Sequence, residues 1–232
     1  MNTKSNLELH YDRPFFLRSK IDRLITLSML FSCILVPARI IYTGRLTFIF
    51  LVWNLILAYV PYFITQMLTQ NTKWLNSRVK LTIVVLAWLA FIPNSFYILT
   101  DLFHLQDRYN DRLVPQWYDL AMIFSFAWNG LLLGILSIRQ MEKIICRHLF
   151  KIPELLFLCP VMWMNAWGVY IGRYLRYNSW DVLTDPLQLS KDICVILLHP
   201  IEYKNASGMI FCFSILMTLF YLTLKKLGRA IR

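Results

Sequence analysis

Ionisable side chains are scarce in this chain. Only 16% of its 232 residues are charged, against about 25% in an ordinary soluble domain. With 58% hydrophobic residues, that deficit argues against a water-soluble fold. The apolar residues form long blocks separated by short charged strips, and most blocks lack the 3.6-residue amphipathic repeat of a soluble helix. A soluble all-α protein with a large core is set aside for an all-α, polytopic membrane bundle.

Other features are missing too. The five cysteines contain no C-x-x-C pair, and three lie in apolar blocks where a thiol behaves as a small hydrophobe, so neither a disulfide framework nor a zinc ribbon is expected. The stretch L-F-S-C before Ile34 lies too deep for a lipoprotein cleavage box, and the first apolar block is expected to remain as an anchor. No internal repeat relates the two halves. There is no G-x-x-x-x-G-K-[ST], H-E-x-x-H or G-x-S-x-G motif, which disfavours a primary pump and the commonest hydrolases.

What is present is six apolar blocks of membrane-crossing length: 24–43, 46–68, 81–100, 119–138, 154–173 and 207–224. Each approaches the roughly 20 residues that a helix needs to cross a bilayer core. They form one transmembrane domain over 24–224, after an N-terminal arm at 1–23 and before a basic tail at 225–232. The run Ile193–Leu198 is too short to cross and is expected at the interface or packed on the bundle. Lysine and arginine then set the orientation, because they accumulate on the cytoplasmic side. With the N-terminus inside, the inner strips hold sixteen of the 24 basic residues and the outer strips seven. Both termini are expected in the cytoplasm, with the plasma membrane of a bacterium as the location. Arg39, inside the first block, is expected to snorkel outward, since a centred arginine costs roughly 2.5–3.5 kcal/mol or more. The net charge of +11 thus reads as a topology signal. Anionic membrane lipids are the expected partners and nucleic acid is not; a protein partner or a second copy stays open.

The acids concentrate in the strips assigned to the outer face, so a site is expected there. Residues 91–105 read F-I-P-N-S-F-Y-I-L-T-D-L-F-H-L. Pro93 lacks an N–H and crowds the preceding turn, which predicts a kink or break in the third helix. Asn94 and Ser95 are candidates to satisfy the freed backbone groups. The spacing of Asn94, Tyr97, Asp101 and His104 puts them on one side of a helix near its outer end. One reading is an interfacial cap. The other is a pocket in which Asp101, His104 and Asp119, the last at the start of the fourth block, act as an acid–base set or hold a divalent metal ion. A second polar concentration, G-R-Y-L-R-Y-N-S-W-D at 172–181, places Arg173 and Arg176 on one helix face, suited to hold a lipid phosphate or to lock onto Asp101 or Asp119. The alternative is a snorkelling pair with Trp180 as interface anchor. Gly130 and Gly134, and Gly168 and Gly172, form two G-x-x-x-G pairs, each expected to pack a different neighbour at a different depth.

The ordered set P-N-S-F-Y-I-L-T-D-L-F-H-L, W-Y-D-L, G-L-L-L-G and G-R-Y-L-R-Y-N-S-W-D resembles a bacterial multi-pass family, Domain of Unknown Function 1361, over roughly residues 50–200. The resemblance implies an integral membrane protein and supplies no reaction. In that pattern the matching positions are Pro93, Asn94, Tyr97, Thr100, Asp101, His104, Trp117, Tyr118, Asp119, Arg173, Arg176, Asn178, Trp180 and Asp181, with Ser95 standing where alanine is expected in many relatives. Three functions remain open. The leading one is a binding or structural membrane component with an outward-facing polar cluster. The others are an outer-leaflet enzyme using Asp101, His104 and Asp119 on a phosphate or lipid headgroup, and a permease-like transporter.

Overall fold

The computed structural model describes residues 20–70, 72–75, 77–105, 114–149, 152–177 and 184–230. Among them there is no β-strand. Helix α1 spans Lys20–Thr43 and α2 spans Phe50–Gln70. Helix α3 covers Arg78–Tyr97 and tightens into a 3₁₀ segment at Ile98–Leu105. Helix α4 covers Gln116–Glu142 and runs into a π-helical stretch at Lys143–Leu149. Helix α5 covers Glu154–Tyr170 and widens into a π-turn at Ile171–Leu175. Helices α6 (Pro186–Leu198) and α7 (Lys204–Ala230) complete the described chain.

Six of these helices are long and apolar enough to cross a membrane, over Ile21–Thr43, Phe50–Gln70, Arg78–Leu105, Gln116–Cys146, Glu154–Leu175 and Lys204–Gly228. The chain is a multi-pass membrane bundle. Its outward apolar surface agrees with that: Leu24, Ile34, Ile83, Leu86, Leu155 and Phe211 are each more than half exposed, an arrangement stable only against lipid or a partner. At 13 residues, α6 is too short to span; Leu189 and Ile196 tuck it against the bundle.

Helix α4 is the hub. Met122, Ile123, Phe126 and Leu133 pack with α1 and α2, whereas Leu131, Ile135 and Ile138 belong to a second core formed with α3, α5 and α7. Inside lipid, apolar burial does not drive helices together, so close approach and interhelical hydrogen bonds do the work, each bond worth about 0.6–2 kcal/mol. Ser137 is one such junction, donating to the Pro61 carbonyl at 2.9 Å and accepting from Trp88 Nε1 at 2.8 Å. Asn129 donates to Ser32 Oγ on α1 at 2.9 Å.

The glycine pairs behave differently from the sequence expectation. Both meet α3, at nearly the same level. A side chain at Gly130 would strike Ile98 and the Ser95 carbonyl, and one at Gly134 would strike Ser95 and Phe96. From the other side, Gly168 lies on Pro93 and Gly172 on the Tyr97 ring. The cause is length: α3 runs on as 3₁₀ helix to Leu105 and α4 begins already at Gln116, so residues 93–98 reach the depth of both pairs. Helix α3 is thereby gripped between α4 and α5.

Candidate functional site

Pro93 lies inside the helical span of α3. Asn94 Nδ2 donates to the Phe91 carbonyl at 3.0 Å, three residues back, and not to the Leu89 carbonyl that the missing N–H of Pro93 leaves free. Ser95 instead donates across to the Ala58 carbonyl of α2 at 2.9 Å, pinning α2 to α3. Beyond Tyr97 the 3₁₀ geometry brings residues three apart into line, so Asp101 and His104 stack one above the other.

Both then meet Arg173. The guanidinium Nη1 lies 3.2 Å from His104 Nε2 and 3.7 Å from Asp101 Oδ1, with the plane 5.5 Å from the Phe103 ring centre. Asp101 is only 1% exposed, not wetted at a headgroup layer. Asn54 of α2 donates to its Oδ2 at 2.9 Å, while Oδ1 accepts no hydrogen bond. Asp101 therefore acts as a buried counter-charge behind Arg173 and leaves the guanidinium hydrogen-bonding capacity of its own. The π-turn at Ile171–Leu175 ends with Arg176 in the left-handed region, φ 60°, closed by Tyr177 N donating to the Ile171 carbonyl at 3.3 Å. Arg173 and Arg176 consequently do not share one regular helix face, yet both border the same space.

That space is a cavity of about 590 Å³. Asn94, Tyr97 and His104 form its floor on α3, Trp53, Asn54 and Leu57 one wall on α2, and Gly168, Ile171 and Arg173 the other on α5, with Arg176 and Tyr177 at the rim. Asn94, Tyr97, His104, Arg173 and Arg176 thus line one cavity. No acidic side chain among the described residues pairs with Arg176. Tyr177 is turned aside, donating to Asp192 Oδ2 on α6 at 2.8 Å.

Asp119 goes elsewhere. Arg39 binds it through Nε at 2.7 Å and Nη2 at 3.3 Å, with its guanidinium 4.5 Å from the Phe48 ring centre. Arg39 is 3% exposed, so it does not snorkel: a carboxylate on α4 supplies what the headgroups would have. The expected set of Asp101, His104 and Asp119 is not assembled as ligands, and among the described residues no group of three His, Cys, Asp or Glu side chains is placed to hold a metal ion. Asn178, Trp180 and Asp181 lie outside the described residues.

Asn54 and Trp53 were not foreseen. The available signal was Asn54 itself, an amide inside the run F-L-V-W-N-L-I-L, where an unsatisfied polar group is costly and so announces a partner. A further polar knot at the other end of α4 was equally silent. Lys225 of α7 donates to Glu142 at 2.7 and 2.9 Å and to Glu154 at 2.6 Å, and the Tyr221 hydroxyl donates to Glu142.

Residues 53–223 match the model of a family described as a protein of unknown function, DUF1361. That match covers well over half of the chain, and the chain belongs to this family. No curated protein and no solved structure matches it.

Proposed function

We propose that this member of the DUF1361 family is a membrane-embedded binding protein that takes an anionic group into the cavity between α2, α3 and α5. The observation that carries the reading is the charge balance there. Two guanidiniums and an imidazole border the cavity, while the nearby carboxylate, Asp101, is buried behind Arg173. Arg176 is left without an acidic partner among the described residues, and forked donors in a site of reduced dielectric favour a carboxylate or phosphate. The commitment of Asp119 to Arg39 removes one group from the acid–base set and favours binding over catalysis. The excess of basic residues in the strips flanking the termini supports a cytoplasmic location for both and an outward-facing cavity in a plasma membrane. The cavity is tested by calorimetric titration of the purified chain with glycerol 3-phosphate, a phosphate monoester. Arg176→Gln is expected to weaken binding about tenfold, the loss of one charge-assisted contact; unchanged affinity would remove the assignment. Reporter fusions at each loop test the orientation, and an external C-terminus would reverse it.

A further inference from the structure

The cavity is larger and longer than an anion needs. Along α3 it reaches from Ala90 to His104. At 1.5 Å per residue to Tyr97 and 2.0 Å beyond, that is about 24 Å, more than the roughly 15 Å depth of one hydrocarbon leaflet. Its two ends differ in chemistry. Arg173, Arg176 and His104 lie at one end, whereas Ala90 at the other and Leu57 between them carry no ionisable group. The middle is a smooth contact of Pro93 on Gly168, where no side chain from α5 intrudes.

The side of this space is open as well. Helices α2 and α5 each pack on α3 but are not closed over the strip between them. Trp53, next to Asn54 at the charged end, is 52% exposed, and Ala90 is exposed at the apolar end. A charged end joined to an apolar stretch that opens sideways on a bundle spanning the membrane matches the shape of an amphiphile.

We propose that the occupant is a membrane phospholipid, its phosphate held by Arg173 and Arg176 and one acyl chain lying in the cavity over the seam where Pro93 meets Gly168. This rests on the anion-binding reading and narrows it to lipid phosphate rather than a dissolved phosphate. A chain that leaves the bilayer for the cavity gains little apolar transfer energy. Affinity therefore comes from the arginines, and the apolar stretch decides which phosphates fit and how they are held. Arg173 is suited to this because Asp101 and His104 fix its position from behind and from the side, so little side-chain freedom is lost on binding.

The experiment compares two probes on the full chain in uncharged detergent: dioleoyl phosphatidic acid, which has chains, and glycerol 3-phosphate, which has none. Ala90→Trp fills the apolar stretch from an exposed position and is expected to weaken phosphatidic acid about tenfold, while glycerol 3-phosphate changes by less than about twofold. Leu57→Trp, from the facing wall, gives the same split if Ala90→Trp does not fold. Arg173→Gln with Arg176→Gln weakens both probes. Phosphatidic acid binding unchanged in the folded tryptophan variants, with the arginine effect intact, overturns the lipid assignment and leaves anion binding standing. Loss of the arginine effect on both probes overturns the two together.

Discussion

The contact between Asp101 and Arg173 offers a quantitative check on the site's construction. At 3.7 Å, two unit charges at an effective dielectric of about 20 attract by about 4.5 kcal/mol before desolvation is counted. Asp101 is 1% exposed and Arg173 17%, so desolvation offsets part of this, and the absence of a direct hydrogen bond to Oδ1 offsets more. Arg173→Gln leaves a deeply buried carboxylate with Asn54 as its remaining donor and is expected to cost about 3–5 kcal/mol. Asp101→Asn keeps an acceptor for Asn54 and strands a partly accessible guanidinium, costing about 2 kcal/mol. Because each single change leaves its partner uncompensated, the double variant should cost less than the two single losses added, by a coupling of about 1–3 kcal/mol. Reversible unfolding of the full chain in mixed micelles measures all four corners of the cycle. Additivity within about 0.5 kcal/mol would mean the two charges do not sense one another, and the buried counter-charge would have to be abandoned.

The same assay reaches three other parts of the bundle. Arg39→Gln removes a bidentate partner from Asp119 and is expected to cost about 3 kcal/mol, most of it recovered when Asp119→Asn is added. Gly168→Ala would put a methyl 2.4 Å from Pro93 Cβ and cost about 1–3 kcal/mol, whereas Gly208→Ala, with nothing within 4 Å, should be neutral or stabilising. Lys225→Met strands Glu142, itself 2% exposed, and should loosen α7, read as faster proteolysis near the C-terminus together with a loss of about 3 kcal/mol.

Six spans are legible in the sequence because backbone satisfaction in lipid demands long apolar helices, and length and hydropathy report that directly. The clustering of Asn94, Tyr97, His104 and Arg173 is legible for a related reason: polar side chains at helical spacing in an apolar block have few places to go. Depth was harder. The expected separation of the two glycine pairs failed because 3₁₀ and π-helical ends shift where each helix stops, by turns that no periodicity reveals. Partner choice was harder still. Asp119 follows Tyr118 and Trp117 in the same outer strip as Asp101, and only the packing of α1 against α4 shows that Arg39 claims it. Asn54 is a lone amide in an apolar run, and what it serves becomes visible only when α2 lies beside Asp101.

The central claim is that the paired arginines make the cavity an anion receptor. Melting of the purified chain in uncharged detergent, with dodecyl phosphate added and dodecanol as the uncharged control, addresses it most directly. The phosphate at 100 times its dissociation constant should stabilise the protein by about 2.7 kcal/mol. Dodecanol should not, and the shift should vanish from each variant's own baseline in Arg173→Gln/Arg176→Gln. Equal stabilisation by both amphiphiles, or a phosphate shift that survives in the double variant, would contradict the account.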